Sequence, residues 1–68
     1  MSTHAYGHLE ITGSSAVGSD DAIKNAVAKA EEKVGNVRWF EVVGTRGHLE
    51  NGAIAHWQVT IKVGYQMT

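Results

Sequence analysis

The sequence predicts an α+β fold in which one helix packs on a three-stranded antiparallel sheet, in the order strand, helix, strand, strand. Three observations support this fold: a short run of alternating apolar and polar residues, a helical stretch with an alanine-rich face, and two longer alternating runs joined by an Asn-Gly pair. Placing the first strand beside the third makes every strand pair antiparallel and gives the strand order 1-3-2. The helix is expected to cover the sheet face that carries Phe40, Val42 and Ile61.

The first predicted strand is short and has one apolar face. Leu9 and Ile11 alternate with polar neighbours, which is the period of a half-buried strand. The small polar segment Gly13-Ser14-Ser15 is expected to end it, because such clusters favour turns and loops.

The predicted helix runs from about Asp20 to Val34. Ser19 is expected to be its N-cap, and Gly35 is expected to be the left-handed residue that follows it. Apolar residues recur on one face at steps of three and four, and small alanines let that face lie close to a sheet. The residues in or near this face are Ala22, Ile23, Ala26, Val27, Ala28, Ala30 and Val34.

The hairpin that follows has a predicted turn and register. Asn51-Gly52 between two alternating runs indicates a type I′ turn, which requires positive φ at both central residues. Glu50 then faces Ala53, and counting back along both strands predicts the remaining pairs. They are Thr45 with Gln58, Val43 with Thr60, Glu41 with Lys62, and Trp39 with Gly64.

Trp39 is the residue of this hairpin that most needs an explanation. Alternation places it on the polar sheet face, together with Thr45 and Gln58, where a large aromatic side chain needs a partner. One interpretation is a contact between copies of the chain. The other is a stacking platform for a planar ligand, with the Gln58 amide offering a donor and an acceptor and Thr45 completing a polar rim.

The predicted distance between Trp39 and Gln58 limits how they can share a ligand. Six residues of one strand separate Gln58 from the partner of Trp39, which is roughly 20 Å at about 3.3 Å per residue. Either the sheet bends near Gly44 and Gly47, or a subunit boundary takes Trp39 from one copy and Gln58 from another. We favour the subunit boundary.

Length and composition predict a single domain, residues 1–68, that associates with itself. A chain of 68 residues buries little surface, and with no cysteine it cannot use disulfides. The formal charge of -1 gives no basic stripe for nucleic acid. With no secretory signal and no stretch of transmembrane length, the prediction is a cytoplasmic protein without a membrane partner.

Neither a metal site nor a catalytic site is expected. Four histidines are present, but His4 and His8 would lie about 13 Å apart on a strand, too far to chelate one ion. Ser, His and Asp occur without an acid–base pair that the predicted topology brings together. The chain is therefore predicted not to be an enzyme.

Several motifs extend over nearly the whole chain and resemble one family. They are Leu9-Glu10-Ile11-Thr12-Gly13, Trp39-Phe40-Glu41-Val42, Arg46-Gly47-His48-Leu49 and His56-Trp57-Gln58-Val59-Thr60-Ile61-Lys62-Val63-Gly64-Tyr65. In this combination the chain resembles the dodecins, which are small flavin-binding proteins. The resemblance implies a sheet wrapped around the helix and assembly into a hollow homododecamer, in which flavin pairs are stacked between symmetry-related tryptophans at subunit interfaces.

The resemblance also implies roles for individual residues. Trp39 matches the stacking tryptophan, and Gln58 matches the amide that contacts the isoalloxazine edge. Arg46 matches an arginine near the site, although simple counting places it on the other sheet face unless a bulge near Gly44 or Gly47 intervenes. Arg38 stands where family members often carry Asp, and it could contact a phosphorylated flavin tail.

The function predicted from these observations is flavin storage and sequestration with quenched flavin fluorescence. FMN is the favoured flavin, with riboflavin and FAD as alternatives, and coenzyme A is a candidate further ligand. The runner-up is a structural or protein-interaction homo-oligomer that binds no flavin, and a third alternative is a flavin-dependent enzyme.

Overall fold

A computed structural model describes residues 3–68 as four elements that form one layer of sheet and one helix. The three strands form a single antiparallel sheet in which β3 lies between β1 and β2. The predicted element order and the predicted strand order 1-3-2 are both confirmed. The elements are β1 (Tyr6–Ser15), α1 (Ser19–Val34), β2 (Val37–Glu50) and β3 (Ala53–Gln66).

The turn between β2 and β3 is the one predicted. Asn51 and Gly52 have φ values of 53° and 77°, the positive values that a type I′ turn requires. Glu50 faces Ala53 across this turn. Local sequence therefore sets where the hairpin reverses.

Two β-bulges change the register in the middle of the hairpin. Ala55 is an extra residue on β3, and Val43 is an extra residue on β2. Between these bulges each residue of β2 faces a partner one position further along β3 than simple counting predicts. The predicted pairs of Thr45 with Gln58 and of Val43 with Thr60 are therefore wrong, and the pairs found are Thr45 with Val59 and Gly44 with Thr60.

The two bulges cancel each other beyond Val43. Glu41 consequently faces Lys62 and Trp39 faces Gly64, both as predicted. A third irregularity follows at Arg38, which is an extra residue on β2 between Val37 and Trp39.

Strand β1 continues through the segment that was expected to end it. Gly13 pairs with Val59, and its backbone lies directly under the helix, where a Cβ atom would overlap the carbonyl oxygen of Ala22 and crowd Ala26. The predicted strand end at residues 13–15 is wrong: Gly13 remains in the strand, and its lack of a side chain lets the helix pack closely on β1.

The helix ends as predicted but begins differently. Gly35 follows it with a φ of 71°, and its N–H donates to the carbonyl of Glu31 at 3.0 Å. The N-cap is Gly18, not Ser19, and it makes no side-chain cap bond. The preceding loop is organised by Ser15 instead, whose hydroxyl donates to Asp21 at 2.7 Å and accepts from the N–H of Val17 at 2.9 Å.

The core lies between the alanine stripe of α1 and the central strand. Its fully buried residues are Ala22, Ala26, Ala30, Val59, Ile61 and Val63. The helix lies over β1 and β3, so Phe40 and Val42 of β2 stay 46% and 47% exposed. The helix covers Ile61, as predicted. It does not cover Phe40 and Val42, so that part of the prediction is wrong. A stripe of small side chains lets the helix cover only a narrow part of the sheet.

Strand β2 and the hairpin tip leave a large apolar surface uncovered. The protomer is elongated, with extents of 57 × 19 × 14 Å. Val43, Leu49 and Ile54 are all at least half exposed, and Leu49 faces Ile54 across the strands. Exposed apolar surface of this extent on a short chain is typical of a protein that packs against copies of itself.

Candidate functional site

The candidate site lies on the sheet face that points away from the helix. Val59, Ile61 and Val63 of β3 face the helix, so Gln58 and Gly64 point to the opposite face. Trp39, which faces Gly64, therefore lies on the side of the sheet that the helix leaves free.

The indole ring of Trp39 lies across the central strand. Gly64 is buried beneath it, and a Cβ atom at Gly64 would overlap indole atoms Cε2 and Cζ2. Trp39 remains 41% exposed. One side of the ring thus packs on the backbone of β3, while a large part of the side chain stays accessible to a ligand.

Two residues of β1 pack against the ring. The ring centroids of Tyr6 and Trp39 are 5.0 Å apart with an interplanar angle of 61°, and those of His8 and Trp39 are 6.1 Å apart at 79°. Both are edge contacts, a favourable aromatic geometry. Sequence reasoning missed Tyr6 and His8, although the strand order 1-3-2 together with a register for β1 would place His8 opposite Gly64.

Arg46 and Gln58 form the polar part of the candidate site. They face each other within the shifted segment of the hairpin, and the Arg46 Nε donates to Gln58 Oε1 at 3.1 Å. Simple counting placed Arg46 on the other face, which is wrong because the extra residues Ala55 and Val43 shift the register of the segment between them by one position. The bond fixes the Gln58 carbonyl toward Arg46 and leaves the amide NH₂ free to donate.

Thr45 lies differently from its predicted position. Its partner is Val59, so the register places it on the helix side of the sheet and not beside Gln58. It nevertheless borders the shallow depression that Arg46 and Thr60 line.

Arg38 is anchored near Trp39 at the other end of the hairpin. Its Nε donates to Gln66 Oε1 at 3.1 Å, and the Gln66 amide nitrogen lies 3.0 Å from His4 Nδ1. This bond uses only Nε, so the outer guanidinium nitrogens of the exposed Arg38 remain donors that carry a positive charge.

The structure therefore gathers the predicted residues into two groups. Trp39 and Arg38 lie at one end of the hairpin, and Arg46 and Gln58 lie together toward the other, with Thr45 next to them in sequence but on the helix side of the sheet. About 20 Å of β3 separates Gln58 from Gly64 at about 3.3 Å per residue, and the 57 Å long axis shows that the sheet stays extended. One small ligand that contacts both groups has to take them from different copies of the chain.

Two properties of residues 3–68 bear on other kinds of site. No group of three or more His, Asp or Glu side chains in this range is arranged to hold a metal ion. In the same range, α1 lacks the length and hydrophobicity that a membrane crossing requires.

Comparisons with known proteins agree with one another. The model of the dodecin family matches residues 5–68. The chain is 32% identical over 62 residues to the dodecin of Thermus thermophilus, covering 91% of this chain and 90% of that protein.

Two solved structures are very similar to this fold. The dodecin of Streptomyces davaonensis has a TM-score of 0.94 and 48% identity, with 98% of each chain covered. The dodecin of Streptomyces coelicolor has a TM-score of 0.92 and 43% identity, covering 100% of this chain and 97% of that one.

Proposed function

This chain belongs to the dodecin family, and from that premise we propose that it binds flavin in order to store and sequester it. Membership implies a small protein that assembles into a dodecamer, which agrees with the uncovered apolar surface of β2. One observation carries the proposal: an indole lies flat on the sheet, backed by a glycine, with a large part of its surface accessible. No such arrangement is needed for a surface that only packs against another sheet.

Trp39 is the proposed stacking platform. A bound flavin supplies a flat, light-absorbing ring, and the indole offers a matching flat surface whose stacking contributes about 0.5–1.5 kcal/mol beyond burial. Trp39 is also an electron donor held against that ring. We therefore expect it to quench flavin fluorescence and to suppress flavin photochemistry.

Gln58 and Arg46 are proposed to orient the ring. The Gln58 NH₂ can donate to a ring carbonyl, and Arg46 holds the amide in place through its bond at 3.1 Å. Thr45 lines a shallow depression together with Arg46 and Thr60, and although its register position is on the helix side, we retain it as a further proposed polar contact through that depression. Because these residues lie far from Trp39 in one protomer, the proposed site draws on two or more copies.

The direct experiment on the proposed function uses the unaltered protein. We expect the purified dodecamer to absorb in the flavin region, to release a flavin on denaturation, and to quench added riboflavin or FMN stoichiometrically. A colourless assembly that leaves flavin fluorescence unaltered would favour the structural homo-oligomer instead. Rapid reduction of the bound flavin by a pyridine nucleotide would indicate an enzyme and would contradict storage, which we propose takes place in the cytoplasm.

Arg38 is proposed to select the phosphorylated flavin. A guanidinium pairs well with a phosphate, and such charge-assisted bonds are about twice as strong as neutral ones. Arg38→Gln should weaken FMN binding about tenfold, the loss of one charge-assisted bond, and should leave riboflavin binding unchanged. Fluorescence titration with both flavins measures the ratio, and Lys24→Gln on the exposed side of α1 is the charge-matched control. Equal losses for FMN and riboflavin would contradict this role.

The bond between Arg46 and Gln58 predicts coupled effects on riboflavin binding. Gln58→Ala and Arg46→Ala should each weaken affinity by about tenfold, consistent with the loss of one hydrogen bond. The double variant should lose clearly less than the product of the two, because both act through one amide. Gln66→Ala, which removes a glutamine bonded to Arg38, should not alter riboflavin affinity. Strictly additive losses in free energy would argue against the orienting role of Arg46.

A further inference from the structure

We infer that Gly64 is a positioning residue for the flavin-stacking indole: its missing side chain lets Trp39 lie flat across the central strand and present one face to the ligand. This inference rests on the proposed function and assigns it a residue that touches no ligand. It follows from contacts within one protomer and from the position of Gly64 in the sheet.

Gly64 occupies the middle of a three-residue row across the sheet. His8 of β1 faces it on one side and Trp39 of β2 faces it on the other. Any Cβ atom at this point would overlap the indole. Because the row has no side chain at its centre, the indole passes over β3 and contacts Tyr6 and His8 on the far strand in T-shaped geometry.

The consequence for binding is preorganisation. The backbone of β3 covers one face of the ring, and T-shaped contacts with two aromatic rings of β1 restrict its tilt. A ligand that stacks on the ring then does not have to immobilise it, which lowers the entropic cost of binding. With a side chain at position 64 the ring would be lifted from the strand and its plane would no longer be fixed.

The chain offers a matched control for this contact. Tyr65 lies over Gly7 in the same way, and a Cβ atom at Gly7 would overlap the tyrosine ring. Gly7 and Tyr65 face each other on neighbouring strands, on the opposite face of the sheet from Gly64. Gly7→Ala therefore introduces the same kind of overlap without lifting Trp39.

The experiment compares Gly64→Ala with Gly7→Ala in the assembled protein. In riboflavin titrations, Gly64→Ala should weaken affinity about tenfold, roughly the size of one lost aromatic stacking contact, and Gly7→Ala should not. In a Trp39→Ala background, Gly64→Ala should cause no further loss. Equal affinity of Gly64→Ala and the unaltered protein would overturn the inference.

A ligand-free measurement separates this inference from the proposed function. The chain has two tryptophans, so a Trp57→Phe background leaves Trp39 as the only indole emitter. Acrylamide should quench this emission more strongly when Gly64 is changed to Ala, whereas unchanged quenching would overturn the inference whether or not flavin binds. If the unaltered protein fails to bind flavin, the proposed function fails, while the acrylamide result still decides the position of the ring.

Loss of folding in Gly64→Ala is also an informative outcome. If the overlap with the indole is the cause, the double variant Gly64→Ala with Trp39→Ala should assemble again by gel filtration. Failure of this rescue would show that Gly64 serves the sheet itself and would contradict the inference.

Discussion

Trp39→Ala is expected to weaken flavin binding about 100-fold and to leave the fluorescence of added flavin unquenched. The variant removes the stacking contact, about 0.5–1.5 kcal/mol, and also the apolar area that the ligand and the indole bury against each other. A combined loss of about 3 kcal/mol corresponds to about two orders of magnitude in the dissociation constant. The sheet should tolerate the change, since Trp39 is partly exposed and contributes nothing to the buried core.

A matched pair of phenylalanine variants separates stacking from quenching. Trp39→Phe keeps a flat ring but removes the better electron donor, so we expect weakened binding with incomplete quenching of the bound flavin. Trp57→Phe makes the same change at the other indole, whose cross-strand partners are Gly47 and Ser15 and not Gly64. It should bind and quench like the unaltered protein. Wild-type affinity in an assembled Trp39→Ala variant would exclude Trp39 as the platform.

Gly13→Ala is expected to destabilise the protein by about 3 kcal/mol, at the upper end of the usual cost of overpacking a core. The added methyl group would overlap the carbonyl oxygen of Ala22 and crowd the backbone nitrogen of Ala26. These are main-chain atoms of a helix, so no rotamer change can make room and the whole helix has to move. For a domain of this size such a loss is a large share of the stability.

Urea unfolding at a fixed protomer concentration measures this effect, because assembly and folding are linked by mass action. Gly44→Ala is the matched control, since a Cβ atom at this other strand glycine meets no atom within 4 Å. We expect the control to unfold at or slightly above the midpoint of the unaltered protein. An unchanged midpoint for Gly13→Ala would mean that the helix is not held as closely to β1 as the structure shows.

The predictable part of the fold comes from local patterns. Alternation identifies the strands, the alanine stripe identifies the buried helix face, and Asn51-Gly52 identifies the turn by its positive φ values. Together with short connections these patterns leave few arrangements of three strands, and the order 1-3-2 follows. The motifs around Trp39 and Gln58 also identified the family before any contact was known.

A bulge near Gly44 was expected only because the family resemblance places Arg46 near the site; alternation does not reveal where the bulges lie, and they decide the polar part of the candidate site. A bulge adds one residue to one strand without changing the composition of either, so alternation alone does not reveal Val43 or Ala55 as extra residues. Only the paired strands show that Arg46 faces Gln58. Thr45 moves to the helix side for the same reason.

The amino-acid sequence alone thus determined the elements, the turn, the strand order and the aromatic residue that the candidate site is built around, because each follows from neighbours along the chain. The tertiary structure alone decided where the helix lies and how the indole is held. Those features depend on which side chains are missing at points of close approach, Gly13 under the helix and Gly64 under Trp39. The sequence does not show which glycines allow a close approach, because the atoms that approach them come from distant parts of the chain.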